Sequence, residues 1–208
     1  MPNFIFKENM GLFLINLGLL LYVCKEFPKL TILAALPLIF LLYFYRMPSI
    51  DININNRYLT SPAFGTVSRI LYLSNGRILV TIFLSPFDIH AQYFPCQGRV
   101  INQIYDNTGK FEIASDAYKS DNNEKMILVV DTPHDQIKIT QLAGLVVRRI
   151  STPNHIGSVI NQGEYLGFIK FGSRVDIEFS SDKYALLDWV HEGVTLKGPM
   201  TRIAILKN

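Results

Sequence analysis

Asp88 and His90 are the residues of this sequence whose types and spacing could do acid–base chemistry. They close the segment Ser-Pro-Phe-Asp-Ile-His at 85–90. If the segment is a strand, alternation places both side chains on one face of a sheet. A carboxylate beside an imidazole orients the ring and raises its pKa, as a general acid or base requires. The same spacing also occurs in pairs that only stabilise a fold, so both interpretations stay open.

A second candidate is Gly172-Ser173, within the segment Phe-Gly-Ser-Arg-Val-Asp at 171–176. By composition alone, a Gly-Ser pair between strands predicts a β-bulge or a tight turn. The common motifs for nucleotide binding, zinc-dependent hydrolysis and serine hydrolysis are absent. Cys24 and Cys96 lack metal-type spacing, so we expect no metal site.

The elements that must position these residues differ between the two ends of the chain. Of the residues, 49% are hydrophobic and 18% are charged, but only five charged residues lie within 1–45. Residues 11–24 and 30–45 contain no Asp, Glu, Lys or Arg. We therefore expect a hydrophobic helical hairpin over residues 1–48 that associates with a membrane, and a buried pair of soluble helices is the alternative.

The length of the two apolar runs limits how the hairpin could sit in a bilayer. At helical rise they reach about 21 and 24 Å, short of a hydrocarbon core of roughly 30 Å. The hairpin is thus expected either to enter one leaflet or to span a thinned bilayer. Tyr43, Tyr45 and Arg46 at its exit suit the headgroup region.

Residues 49–208 have the pattern of a mainly β domain, a sandwich or a barrel. Short runs rich in Val, Ile, Tyr and Phe are separated by turn residues such as Asn, Gly, Pro and Asp. This composition excludes a disordered chain and a polytopic transporter. The net charge is +3 without a dense basic run, so no nucleic-acid partner is expected. On composition alone, the chain is a membrane-tethered β-domain of unspecified function.

The order of short motifs, however, resembles the pyruvoyl-dependent phosphatidylserine decarboxylases. The similarity is strongest to the short branch of that family, whose processing site reads Phe-Gly-Ser, and it covers nearly the whole chain. The motifs that carry it are Arg46-Met47-Pro48, the segment 85–90, Pro95, Gly98-Arg99-Val100, Gln141-Leu142-Ala143-Gly144, Arg148-Arg149-Ile150, Gly163-Glu164 with Gly167, and the segment 171–176.

The resemblance implies that the chain makes its own cofactor. Ser173 Oγ would attack the Gly172 carbonyl and convert the amide into an ester, and a base would then remove the Cα proton of residue 173. Elimination would release residues 1–172 as one chain, and hydrolysis would leave a pyruvoyl group on residues 173–208. The pyruvoyl ketone would form a Schiff base with the amine of phosphatidylserine, CO₂ would leave, and His90 would transfer the proton that yields phosphatidylethanolamine.

The resemblance also implies the partners and the location of the protein. The substrate would be a serine lipid with ester or ether linkages, and the two chains produced by cleavage would stay together. The β domain would face the aqueous side of a membrane, and the sequence leaves a homo-oligomer open.

Phe64 and Tyr93 depart from the family pattern. The family usually reads Ser-Pro-Ala-Asp-Gly where this chain has Phe64, and the longer branch has a second histidine at the position of Tyr93. Either His90 with Asp88, or another carboxylate such as Asp176, serves as the base of self-cleavage in place of the missing aspartate. The alternative is an unprocessed, inactive relative that binds lipid or protein at a membrane.

Overall fold

A computed structural model of the chain describes residues 3–4, 10–109, 119–144, 150–153, 155–170 and 173–208. The chain divides into two compact units, Met1–Ser49 and Ile50–Asn208. The predicted domain boundary, between residues 48 and 49, lies one residue earlier.

Two helices form most of the first unit. Helix α1 (Met10–Glu26) and helix α2 (Thr31–Phe44) are joined by a 3₁₀ turn, Pro28–Leu30. Helix α1 ends before Phe27 because the residue preceding a proline disfavours helical backbone. Strands β1 (Asn3–Phe4) and β2 (Arg46–Met47) pair with each other in antiparallel fashion. Neither of the described helices combines the length and the apolar content needed to cross a membrane.

The second unit is mainly β, which confirms the predicted fold class at that level. Its described strands are β3 (Tyr58–Thr60), β4 (Phe64–Tyr72), β5 (Arg77–Leu84), β6 (Ala91–Tyr93), β7 (Gly98–Asp106), β8 (Lys125–Asp131), β9 (Gln136–Leu142), β10 (Ile150–Ser151), β11 (Val159–Ile160), β12 (Tyr165–Ile169), β13 (Ser173–Ser180), β14 (Tyr184–Leu186), β15 (Thr195–Lys197) and β16 (Arg202–Leu206). Two 3₁₀ turns, Lys119–Asn122 and Gly198–Met200, lie between them.

These strands form three antiparallel sheets. The largest has eight strands in the order β11-β7-β8-β9-β13-β5-β4-β15. Two three-stranded sheets have the orders β10-β12-β6 and β14-β16-β3. Tight turns join β4 to β5 and β8 to β9. Gly76, with a φ of +74°, supplies the left-handed backbone that the β4–β5 turn requires.

Strand β13 lies between β9 and β5 and is buried on both faces. Val175, Ile177 and Phe179 belong to the hydrophobic core. Arg174 and Asp176 alternate with them and are also buried, on the opposite face of the sheet. The strand that begins with Ser173 is therefore held by two neighbouring strands and shielded on both sides.

Candidate active site

Ser173 is the first residue of β13 and is fully buried. It shares a face with Val175, because alternate residues of a strand point the same way, and so it faces the core. Its Oγ donates a hydrogen bond to the carbonyl oxygen of Ile169 at 3.5 Å. Gly172, the other residue of the predicted cleavage site, lies outside the described residues, as do Arg148 and Arg149 of the basic motif.

The register of β13 places the turn at 85–88 beside Ser173. Ser173 pairs with Leu84, the last residue of β5, and the turn follows at once. The Asp88 backbone N–H donates to the Ser85 carbonyl at 2.9 Å, and the Ser85 backbone N–H donates to Asp88 Oδ2 at 2.8 Å. Residues 85–90 are therefore not a strand, and the predicted strand alternation is wrong. The Asp88 carboxylate closes the turn.

His90 is fully buried and is oriented by Asp88 through a different atom from the one expected. The His90 Nδ1 lies 3.0 Å from the main-chain carbonyl oxygen of Asp88, not from its carboxylate. A carbonyl oxygen only accepts hydrogen bonds, so Nδ1 carries the proton and Nε2 of the neutral ring carries the lone pair. Asp88 thus fixes the tautomer that a general base acting at Nε2 needs.

The end of strand β12 brings His90 and Ser173 into one region. Phe168 pairs with Ala91, the residue after His90, and the Phe168 ring lies 6.1 Å from the imidazole between centroids. The next residue, Ile169, accepts the hydrogen bond of Ser173. His90 and Ser173, which are 83 positions apart in sequence, therefore adjoin consecutive residues of β12.

A buried hydrogen-bond chain next to His90 was not predicted from the sequence. Thr152 Oγ1 donates to Gln141 Oε1 at 2.7 Å, and Gln141 Nε2 donates to Gln92 Oε1 at 2.9 Å. Gln92 Nε2 in turn donates to the main-chain carbonyl of His90. Both glutamines are fully buried. A glutamine within an apolar strand was the available signal, but its partners depend on strand pairing.

Phe64 and Tyr93, the two departures from the family pattern, contact each other. Their ring centroids are 6.2 Å apart in an edge-to-face arrangement, and Tyr93 packs in the same way on Tyr165 at 6.4 Å. Burial raises the pKa of the Tyr93 hydroxyl far above its ordinary value, so the group stays protonated. An aromatic pair thus occupies the positions where the longer branch of the resembled family carries an aspartate and a histidine.

Arg174, directly after Ser173, is the centre of a buried ionic network. Its Nε and Nη2 donate to the two carboxylate oxygens of Asp176 at 2.8 and 2.6 Å, and its Nη1 donates to Ser120 Oγ at 2.8 Å. Nη2 also lies 2.7 Å from Asp121 Oδ1, which Arg69 Nη2 approaches to 3.2 Å. Burial lowers the pKa of the Arg174 guanidinium, but the two carboxylates outweigh it and the pKa is raised.

Asp176 is the predicted alternative base. Its carboxylate is hydrogen-bonded to Arg174, and it lies on the face of β13 opposite to Ser173. Among the described residues, no cluster of three or more His, Cys, Asp or Glu side chains could hold a metal ion.

Comparison with known proteins agrees with the motif-based resemblance. A sequence model of the family described as phosphatidylserine decarboxylase matches residues 38–201. Proteins named phosphatidylserine decarboxylase proenzyme are similar to this chain. The one from Chlorobium phaeobacteroides is 36% identical over 149 residues, covering 69% of this chain and 70% of its own.

Two further relatives of the same name match over a longer stretch. The protein from Carboxydothermus hydrogenoformans is 31% identical over 184 residues, covering 86% of this chain and 85% of its own. The protein from Cytophaga hutchinsonii is 38% identical over 184 residues, covering 83% of each chain. This chain belongs to the phosphatidylserine decarboxylase family.

Proposed function

We propose that this chain is a proenzyme that cleaves itself between Gly172 and Ser173 and then decarboxylates phosphatidylserine to phosphatidylethanolamine. As a carboxy-lyase it belongs to phospholipid biosynthesis. The observation that carries the proposal is the placement of Ser173, buried at the start of β13, at the strand end that His90 also adjoins.

The surroundings of Ser173 fit a pyruvoyl group. Cleavage would leave a new chain end at residue 173, which is fully buried. A charged α-amino group at that point would lose its hydration at a high cost, whereas a pyruvoyl group carries no charge. Pairing of β13 with both β5 and β9 keeps the new chain end in place after the bond has broken.

In this proposal Ser173 and His90 have distinct tasks. Ser173 Oγ attacks the carbonyl carbon of Gly172, the C–N bond breaks as the C–O bond forms, and the amide becomes an ester. When present, the pyruvoyl ketone supplies the electron sink that allows CO₂ to leave the serine headgroup. His90 moves protons at Nε2, and the Asp88 carbonyl stabilises the imidazolium by accepting from Nδ1.

A mass measurement of the purified protein tests self-cleavage. The expected products are a fragment of residues 173–208, which is 36 residues long with a blocked N-terminus, and a partner of residues 1–172. Ser173→Ala should abolish both cleavage and turnover, and His90→Ala should lower turnover of the processed enzyme. A single intact species of 23.7 kDa that is inert towards phosphatidylserine would refute the proposal.

That result would instead favour an unprocessed relative that binds lipid or protein. The aromatic pair Phe64 and Tyr93 is the observation that supports this second candidate, because neither side chain can act as a base at neutral pH.

We further propose that the first unit attaches the protein to a membrane, with the β unit on the aqueous side. The support is the exposure of large apolar side chains on both helices, including Ile15 at 69% and Ile32 at 81%. Apolar helix faces of this kind bind at the boundary between headgroups and acyl chains. Ile15→Glu with Ile32→Glu should reduce flotation with phospholipid vesicles. Tyr72→Glu, in the second unit and 72% exposed, is the matched control and should float like the parent.

The proposal also concerns how the two fragments, and copies of the whole enzyme, associate. The fragments 1–172 and 173–208 stay associated as one enzyme, and size-exclusion chromatography of the processed protein should keep them in one peak. The same measurement reports whether several copies of this enzyme assemble.

A further inference from the structure

The hydrogen-bond chain from Thr152 to His90 has a single direction. The Thr152 hydroxyl donates to Gln141, the Gln141 amide donates to Gln92, and the Gln92 amide donates to the His90 carbonyl. If either glutamine amide were rotated by 180°, two donors or two acceptors would face each other. Aligned hydrogen bonds polarise one another, so the chain acts as one unit that ends at His90.

Strand β12 is shaped to leave room for this chain. A Cβ atom at Gly167 would lie 2.3 Å from the Ser151 carbonyl oxygen, 3.0 Å from Gln141 Nε2 and 3.2 Å from Thr152 Oγ1. A side chain at residue 167 would therefore clash with the Ser151 backbone and would also press on Gln141 and Thr152. The same strand, two residues later, accepts the hydrogen bond of Ser173.

Packing alone does not account for two glutamines in this position. A buried amide must be matched with hydrogen bonds, and a pair of apolar side chains of similar size would serve a core equally well. What the amides add is a fixed position for one group, the main-chain carbonyl of His90. The imidazole is then oriented from that point by the Asp88 carbonyl at Nδ1.

We propose that Gln92 and Gln141, with Thr152, are positioning residues for His90. This hydrogen-bond chain holds the backbone of His90 where Nε2 meets the reacting atoms. It also connects segment 150–153 to the site. This inference rests on the proposed decarboxylase function, because it assigns these residues to the proton transfer of that reaction.

The test uses the processed full-length protein in detergent with phosphatidylserine as substrate. Rates are normalised to the amount of the fragment 173–208. The variant Gln92→Leu with Gln141→Leu removes both amides at once, and it takes their hydrogen bonds from the Thr152 hydroxyl and the His90 carbonyl. Its kcat should fall by about 10- to 100-fold, the size of effect that a misplacement of about 1 Å produces. Its KM should stay close to the parent value and its pH–rate profile should shift, while its melting temperature should fall by several degrees because two polar groups lose their partners.

Thr152 supplies a milder pair of variants that keeps the test valid if the double variant does not fold. Thr152→Val removes the first donor and should lower kcat, while Thr152→Ser keeps the hydroxyl and should restore it. Thr81→Val is the matched control, because the buried Thr81 hydroxyl makes no hydrogen bond among the described residues, and its kcat should equal that of the parent.

The outcomes separate the two proposals. Parent-like kcat and pH profile in Thr152→Val and in the glutamine variants would overturn the positioning role while leaving the decarboxylase intact. A processed parent that does not convert phosphatidylserine would overturn the proposed function and this inference together.

Discussion

Replacing Arg174 with methionine should be among the most damaging single changes in the β unit. The guanidinium is 1% exposed, and it makes two hydrogen bonds to Asp176 and one to Ser120. Without it, Asp176 becomes a buried carboxylate that has no ion-pair partner among the described residues, which costs about 3–5 kcal/mol. The loss of contact with Asp121 adds little, because that side chain is 49% exposed and keeps Arg69 as a partner.

The assays are equilibrium unfolding by urea and thermal unfolding, both in detergent and on the Ser173→Ala background so that one covalent chain unfolds. A loss of this size should lower the melting temperature by about 6–20 °C for a protein of this length. Arg174→Met with Asp176→Leu removes both charges and should recover most of the loss, giving a coupling energy of about 2 kcal/mol or more.

Lys138→Met is the matched control, because it removes a cation from the same face of the sheet. The Lys138 ammonium lies 3.1 Å from Glu178, but its side chain is 41% exposed, so we expect a loss of about 1 kcal/mol or less. The reasoning would be refuted if Arg174→Met cost as little as Lys138→Met, or if the losses of Arg174→Met and Asp176→Leu, each measured alone, added up to the loss of the double variant.

Three further predictions concern other parts of the second unit. Gly198→Ala should cost about 2 kcal/mol or more in urea unfolding, because φ is +56° and the new Cβ would lie 2.4 Å from Phe64 Cε2; Phe64→Leu should relieve part of that loss. Burial raises the pKa of Tyr184 from 10.0 to about 12, so the folded state favours the protonated phenol. The free energy of unfolding should therefore fall by about 1–2 kcal/mol as pH rises from 10 to 12, and Tyr184→Phe should remove that part of the fall. Phe87, which is 67% exposed in the turn before His90, should contact lipid; Phe87→Asp should raise KM by about threefold or more for phosphatidylserine in vesicles, but not for a short-chain phosphatidylserine in solution.

The strands were predictable because their inward side chains alternate, and β13 shows where that rule stops. Val175, Ile177 and Phe179 indicated a strand with one buried face. Alternation alone assigns Arg174 and Asp176 to solvent, yet both are buried. Part of their cover is the turn Lys119–Asn122, which is more than 50 residues away in sequence, and no local pattern reports such a contact.

In segment 85–90 the local turn residues determine the structure, and the expected alternation of side chains along a strand does not occur. Proline at the second position of a turn and aspartate two residues later are strong turn signals. The hydrogen bonds between Ser85 and Asp88 confirm that such a turn forms. The sequence predicted a carboxylate–imidazole pair, but the Asp88 carboxylate accepts from Ser85 and His90 contacts the Asp88 carbonyl oxygen, a group that every residue possesses and no sequence pattern reveals.

The hydrogen-bond chain from Thr152 to His90 could not be predicted from the sequence, for a related reason. Gln92 lies in β6, Gln141 lies in β9 and Thr152 directly follows β10, so their side chains meet only when these distant strands have paired in the sheets. A shift of one residue in the register of β6 or β9 would turn its glutamine to the other face. The residue types were visible in the sequence, but the network is a property of the fold.

The surroundings of Ser173 require that folding precede cleavage. Ser173 pairs with Leu84 of β5 and bonds to Ile169 of β12, and its neighbour Arg174 pairs with Leu142 of β9. These partners are brought together only when the sheets have formed, so the unfolded chain lacks the geometry that would activate the bond. Residues 173–208 contribute β13 and β15 to the eight-stranded sheet and β14 and β16 to a three-stranded sheet. After the proposed cleavage, this fragment would leave only by breaking both sheets. We therefore expect the new end at residue 173 to stay at the end of β12 that His90 also adjoins, where the proposed reaction needs it.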